Sequence, residues 1–165
     1  MRRLSCAIAI VAAVGLAAAP GASAGGGGGP VTVPVPDFHG TLVGICAFPV
    51  HFRSVINRET TTFYPDGRSV TRGRLTVALR NTKTGKHTVI DVSGPTFTYP
   101  RPGGHTLTVL KARAAVFYLA DESGVGHPIF WMITHGEFRV ITDADGTNHL
   151  RSYPADHVNL CQRLA

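Results

Sequence analysis

Sulfur, tryptophan and acid are all scarce in this chain, which has three Cys, two Met, one Trp and ten Asp plus Glu among 165 residues. A zinc site needs closely spaced ligand pairs, and the three cysteines supply none. Catalytic signatures are missing too: no serine stands in a Gly-x-Ser-x-Gly elbow and no His-Glu-x-x-His occurs. There is no Asn-x-Ser/Thr glycosylation site. Thr84-Gly85-Lys86-His87 fails as a phosphate loop, because Arg80 replaces the first glycine and His87 the hydroxyl residue. Asp143-Ala144-Asp145-Gly146 fails as a calcium loop, because its glycine comes early and Pro154 takes the place of the closing glutamate. Both segments read as hairpin turns. These absences argue against an enzyme, and no cofactor or metal ligand set is expected.

The N-terminus has the three parts of a secretory leader: Met1-Arg2-Arg3, an uncharged stretch from Leu4 to Ala19, and the small triplet Ala22-Ser23-Ala24 after Pro20. A membrane span needs roughly 20 strongly apolar residues, so this shorter, Ala-rich stretch reads as cleavable, with cleavage between Ala24 and Gly25. The expected location is extracellular, with no transmembrane anchor after cleavage. Cys6 leaves with the leader, so Cys46 and Cys161 remain as a pair in a compartment where disulfides persist. They are expected to be bonded. Loss of Arg2 and Arg3 also lowers the formal net charge of +6 by two. That mild excess of base suits an anionic cell-wall polymer and falls short of a dedicated nucleic-acid binder.

Residues 25–36 form a Gly/Pro-rich linker by composition, from Gly25 to Gly29 through Pro30, Pro34 and Pro36. Residues 37–165 then read as one β domain. Short runs of Val, Thr, Leu, Ile and Phe alternate with Gly, Pro, Asn and Asp about every ten residues, the rhythm of hairpin-connected strands. The expected strands span 41–48, 50–55, 60–64, 69–71, 74–81, 86–92, 96–99, 105–112, 114–120, 129–142 with a break at Gly136, and 148–153. Asp156 is expected to cap a two-turn C-terminal helix carrying Val158, Leu160, Cys161 and Leu164. The fold class is therefore all-β, an antiparallel β-barrel or a two-sheet sandwich with a short C-terminal helix.

Four segments carry a resemblance: Phe63-Tyr64-Pro65-Asp66-Gly67-Arg68, Gly73 through Val77 on to Asn81 and Gly85-Lys86, Val92-Ser93-Gly94-Pro95, and Asn159-Leu160-Cys161. In these the chain resembles small secreted β-rich actinobacterial proteins of unassigned role. The resemblance spans most of residues 25–165 and carries over no catalytic or binding residue.

Two features stand out as surfaces. Strand alternation places Leu75, Val77 and Leu79 on one side of the segment ending at Asn81, with Arg72, Arg74 and Arg80 on the other. Such an arginine row suits an anionic polymer, since guanidinium groups bind phosphate and carboxylate in pairs, although a solvated outer face has the same pattern. The runs 114–120 and 129–133 are apolar on both sides, so both faces need cover. That cover is a second sheet, the C-terminal helix, a partner, or a small apolar ligand held by Tyr118, Trp131 and Met132.

The eight histidines (His39, His51, His87, His105, His127, His135, His149 and His157) show no spacing that pairs two on one side of a strand. Glu59, Asp91 and Glu137 lie in or beside strands, where glycosidase carboxylates often stand. The favoured function is an extracellular non-catalytic binding domain. The alternatives are a small secreted hydrolase or isomerase using a His/carboxylate pair, and a secreted inhibitor or envelope interaction protein.

Overall fold

Strand-forming residues pair into three antiparallel sheets in a computed structural model that describes residues 28–123 and 125–165. The leader, Cys6 and the Ala24/Gly25 cleavage site lie outside the described residues. The first strands are β1 (Val31–Pro34), β2 (His39–Leu42), β3 (Val50–Asn57), β4 (Thr60–Phe63), β5 (Ser69–Arg72), β6 (Leu75–Asn81) and β7 (His87–Asp91). They are followed by β8 (Thr96–Pro100), β9 (Thr106–Lys111), β10 (Ala114–Tyr118), β11 (Ile129–Ile133), β12 (Glu137–Thr142), β13 (Asn148–Ser152) and β14 (His157–Asn159). One helix, α1 (Leu160–Leu164), follows.

The largest sheet runs β1-β4-β5-β8-β9-β12-β13, the second β2-β3-β6-β7 and the third β10-β11-β14. None closes into a barrel, so of the two expected architectures the sandwich fits, with three sheets in place of two. Its middle layer is the three-stranded sheet, and alternation shows why. Ala115, Phe117 and Phe130 face one core with Val50, Phe52, Val77, Leu79 and Ile90 of the four-stranded sheet. Ala114, Val116, Tyr118, Ile129, Trp131 and Ile133 face a second core with Leu110, Phe138 and Val140 of the seven-stranded sheet. The two runs without alternation are thus covered on both sides by the chain's own sheets. Buried aliphatic and aromatic groups of this kind contribute about 1.5–3 kcal/mol each.

Short crossovers carry the chain between sheets, and two of them touch. Gly73 joins β5 to β6 with φ +141°, and a Cβ there would lie 2.2 Å from the Arg58 carbonyl oxygen and 2.5 Å from Glu59 Cα, on the crossover from β3 to β4. Only glycine fits this corner. The consequence overturns the expected arginine row: Arg72 ends β5 in the seven-stranded sheet, Arg74 lies in the crossover, and Arg80 stands in the four-stranded sheet.

Two expectations about the ends are corrected. Val31–Pro34, within the segment read as linker, pairs with β4 as the outermost strand of its sheet. Proline is tolerated there because an edge strand leaves one row of amides unpaired. At the other end, His157–Asn159 pairs with β11 in place of the expected first helical turn. Asn159, rather than Asp156, caps the helix, its side-chain oxygen accepting from the Gln162 amide at 3.1 Å.

The helix is tied down three ways. Leu160 and Leu164 are fully buried, Cys161 is bonded to Cys46, and the buried Asn81 Nδ2 donates to the Leu164 carbonyl at 3.0 Å. Asn81 Oδ1 also accepts from the Lys83 and Thr84 amides, which shapes the β6–β7 hairpin. Asn81→Ala is expected to lower the unfolding free energy by about 2 kcal/mol in urea titration, since it orphans a buried carbonyl and two turn amides.

Candidate functional site

Alternation along four strands and the register between them build one solvent-facing surface on the four-stranded sheet. Leu42, Val50, Phe52, Leu75, Val77, Leu79 and Ile90 point into the core. Their neighbours in sequence point outward. Thr41 pairs with His51, His51 with Arg80, and Arg80 with His87, so one row crosses all four strands. The next row is His39, Arg53, Ala78 and Val89. Neighbouring strands lie about 4.8 Å apart and successive outward rows about 6.7 Å apart, so five cationic or ionisable side chains share a small patch.

Two carboxylates border it, each bonded to a partner of its own. Among the described residues neither Arg53 nor Arg80 makes an ion pair. Asp91 lies at the far end of β7, opposite Thr76, and is held by Arg113 at 2.6 Å. Ser93, followed by Arg113, holds its carboxyl below the usual aspartate range. Asp37, just before β2, accepts from the Ser54 hydroxyl at 2.8 Å. Of the three expected arginines only Arg80 belongs to this patch, while Arg72 lies over the Phe97 ring at 5.8 Å. Arg53 and the three histidines were not legible as a group, because cross-strand register decides which residues meet.

Tyr118, Trp131 and Met132 occupy the middle layer. The Tyr118 ring stacks on Phe138 at 6.2 Å, and burial pushes its phenol up from the ordinary value. Trp131 is 6% exposed, with its ring 4.0 Å from His157 and 5.0 Å from Tyr153. Met132 is half-buried against the opposite core. The contacts of all three are made by the protein itself.

The strand carboxylates separate into different roles. Glu137 is held below its ordinary range by Arg139 first and Lys111 next, with Lys111 Nζ 3.4 Å away. Glu59 lies at the corner under Gly73, 6% exposed, and its Oε2 has no hydrogen-bond partner among the described residues. Burial raises its pKa to about 7. Asp91 and Glu137 thus meet arginine and lysine, while the histidine–carboxylate contacts form elsewhere. His105 Nδ1 and His149 Nε2 flank Asp143 at 2.9 and 2.7 Å, and His149, followed by His105, holds that carboxyl below its usual range. No group of three His, Cys, Asp or Glu among the described residues is placed to hold a metal ion. No helix among them is long and apolar enough to cross a membrane.

Comparison of the chain with protein-family models, with curated proteins and with solved structures finds no match.

Proposed function

We propose that the protein is an exported, non-catalytic binding domain that holds an anionic cell-surface polymer on the outer face of its four-stranded sheet. The observation that carries this reading is the pair Arg53 and Arg80, exposed, free of carboxylate partners among the described residues and flanked by histidines in register. A guanidinium with no internal partner keeps all its donors for a ligand. A pleated face repeats its side chains at regular spacing, which suits a linear polymer better than a small molecule. The leader pattern of residues 1–24 supports delivery to the extracellular space, and the Cys46–Cys161 disulfide is compatible with it.

Binding of the exported protein to long-chain inorganic polyphosphate tests the reading. Wild type is expected to bind, with an affinity that falls steeply as salt rises, because bound cations release counterions from the polymer. Arg53→Ala/Arg80→Ala is expected to weaken binding about tenfold or more, at roughly 1 kcal/mol per lost charge contact. Equal affinity of wild type and double variant would remove the face from consideration, and tighter binding to duplex DNA than to polyphosphate would make the partner a nucleic acid.

A further inference from the structure

We infer that this face is a proton-coupled binding surface, on which a polyanion is held more tightly as the medium acidifies because His39, His51 and His87 gain charge around the two fixed arginines. The inference rests on the reading of the face as anion-binding and adds its regulation. Imidazole is the side chain whose charge changes between about pH 5 and 8. Three of the protein's eight imidazoles stand on these two rows, brought there from three different strands.

Each ring has a defined set of neighbours. His51 on β3 faces Thr41 on β2 and Arg80 on β6, with Arg53 two positions along its own strand. His87 on the outermost strand β7 faces Arg80 and is followed on the same side by Val89. His39 on the opposite edge faces Arg53. The nearest carboxylates are already engaged, Asp91 by Arg113 and Ser93 and Asp37 by Ser54. Lys83 and Lys86, in the hairpin beyond His87, donate to the Ala47 and Ala165 carbonyls. The charged groups around the three rings are thus the cations Arg53 and Arg80 in register with them, Asp37 two positions before His39, and Lys83 and Lys86 in the hairpin that precedes His87.

That arrangement has a thermodynamic consequence. With no anion bound, His51 and His87 stand opposite Arg80 in the next strand, with no carboxylate in register beside them. A polymer laid across the rows places negative charge over rings and guanidinium groups together. Proton and polymer then favour each other's binding, and by linkage the effect is reciprocal: acidification tightens the polymer, and the polymer draws protons from solution.

Polyphosphate is again the probe, because each internal phosphate keeps one negative charge across this range. Affinities are measured at pH 7.5 and 5.5 at constant salt, for wild type, His39→Gln/His51→Gln/His87→Gln and Arg53→Ala/Arg80→Ala. Calorimetry in buffers of different ionisation heat counts the protons taken up. Wild type is expected to gain about tenfold or more on acidification. It should take up protons as it binds. The histidine variant is expected to lose most of the gain between pH 7.5 and 5.5, whatever its affinity at pH 7.5. Wild-type binding that is equal at both pH values, or a histidine variant that retains the full gain, overturns the coupling and leaves the binding face standing. Failure of wild type to bind at either pH overturns the face itself.

Discussion

Cys46→Ser/Cys161→Ser is expected to lower the unfolding free energy by about 4–5 kcal/mol, the chain-entropy value for a closed loop of this size. The bond joins residues 115 apart, from the loop after β2 to the start of α1. Domains of this size are stable by about 5–15 kcal/mol, so the clasp accounts for a large share of the total. Its effect falls mainly on the unfolded chain. In the folded state Leu160 and Leu164 stay buried, Asn159 still caps the helix, and Asn81 still bonds the last turn. The variant should therefore keep the native near-ultraviolet spectrum while its urea midpoint falls, and reduced wild type should behave like the variant. A loss below about 1 kcal/mol would mean that the unfolded chain gains little freedom when the link is cut.

Glu59→Gln is expected to be nearly neutral at pH 4 and stabilising by about 3 kcal/mol at pH 8, at 1.36 kcal/mol per pKa unit. Burial lifts the folded-state pKa from 4.5 to about 7, so across that interval the folded protein holds a proton that the unfolded chain has released. Stability from this group is complete below the unfolded value and is lost as pH rises through the folded one. Glutamine keeps the size and loses the titration. Urea titrations of both proteins from pH 4 to 8 should diverge steadily, and parallel curves would contradict the buried, unpartnered state of Oε2. The carboxyls with lowered values, Asp66, Asp91, Glu137, Asp143 and Asp145, act in the opposite direction and destabilise the fold as pH falls through their folded values. Maximum stability should accordingly lie on the acid side of neutral.

What the sequence disclosed was local chemistry, and what it withheld was pairing. Asp145-Gly146 and Thr84-Gly85 mark real hairpins, because turn residues act within four positions. The apolar runs 114–120 and 129–133 announced strands with both faces in need of cover, since lack of alternation is itself a burial signal. The break at Gly73 was legible, since 69–71 and 74–81 read as separate strands, but nothing local showed that it carries the chain from one sheet to another and so parts Arg72 from Arg80. Asn159 lost to Asp156 as the expected cap because β14 pairs with β11, a long-range demand that helix signals near residue 156 do not record. The cationic face was hidden for the same reason. His39, His51, Arg80 and His87 are scattered along the chain and become neighbours through the β2–β3, β3–β6 and β6–β7 registers.

The most direct measurement is a residue-by-residue map of polyphosphate binding by amide chemical shifts at pH 5.5. The largest shifts are expected along the outward positions of β2, β3, β6 and β7, centred on His51, Arg53, Arg80 and His87, with β12 and β13 unmoved. Shifts centred instead on Trp131 and Tyr153, or on the Asp143 hairpin, would place the ligand elsewhere and contradict the role given to the four-stranded sheet.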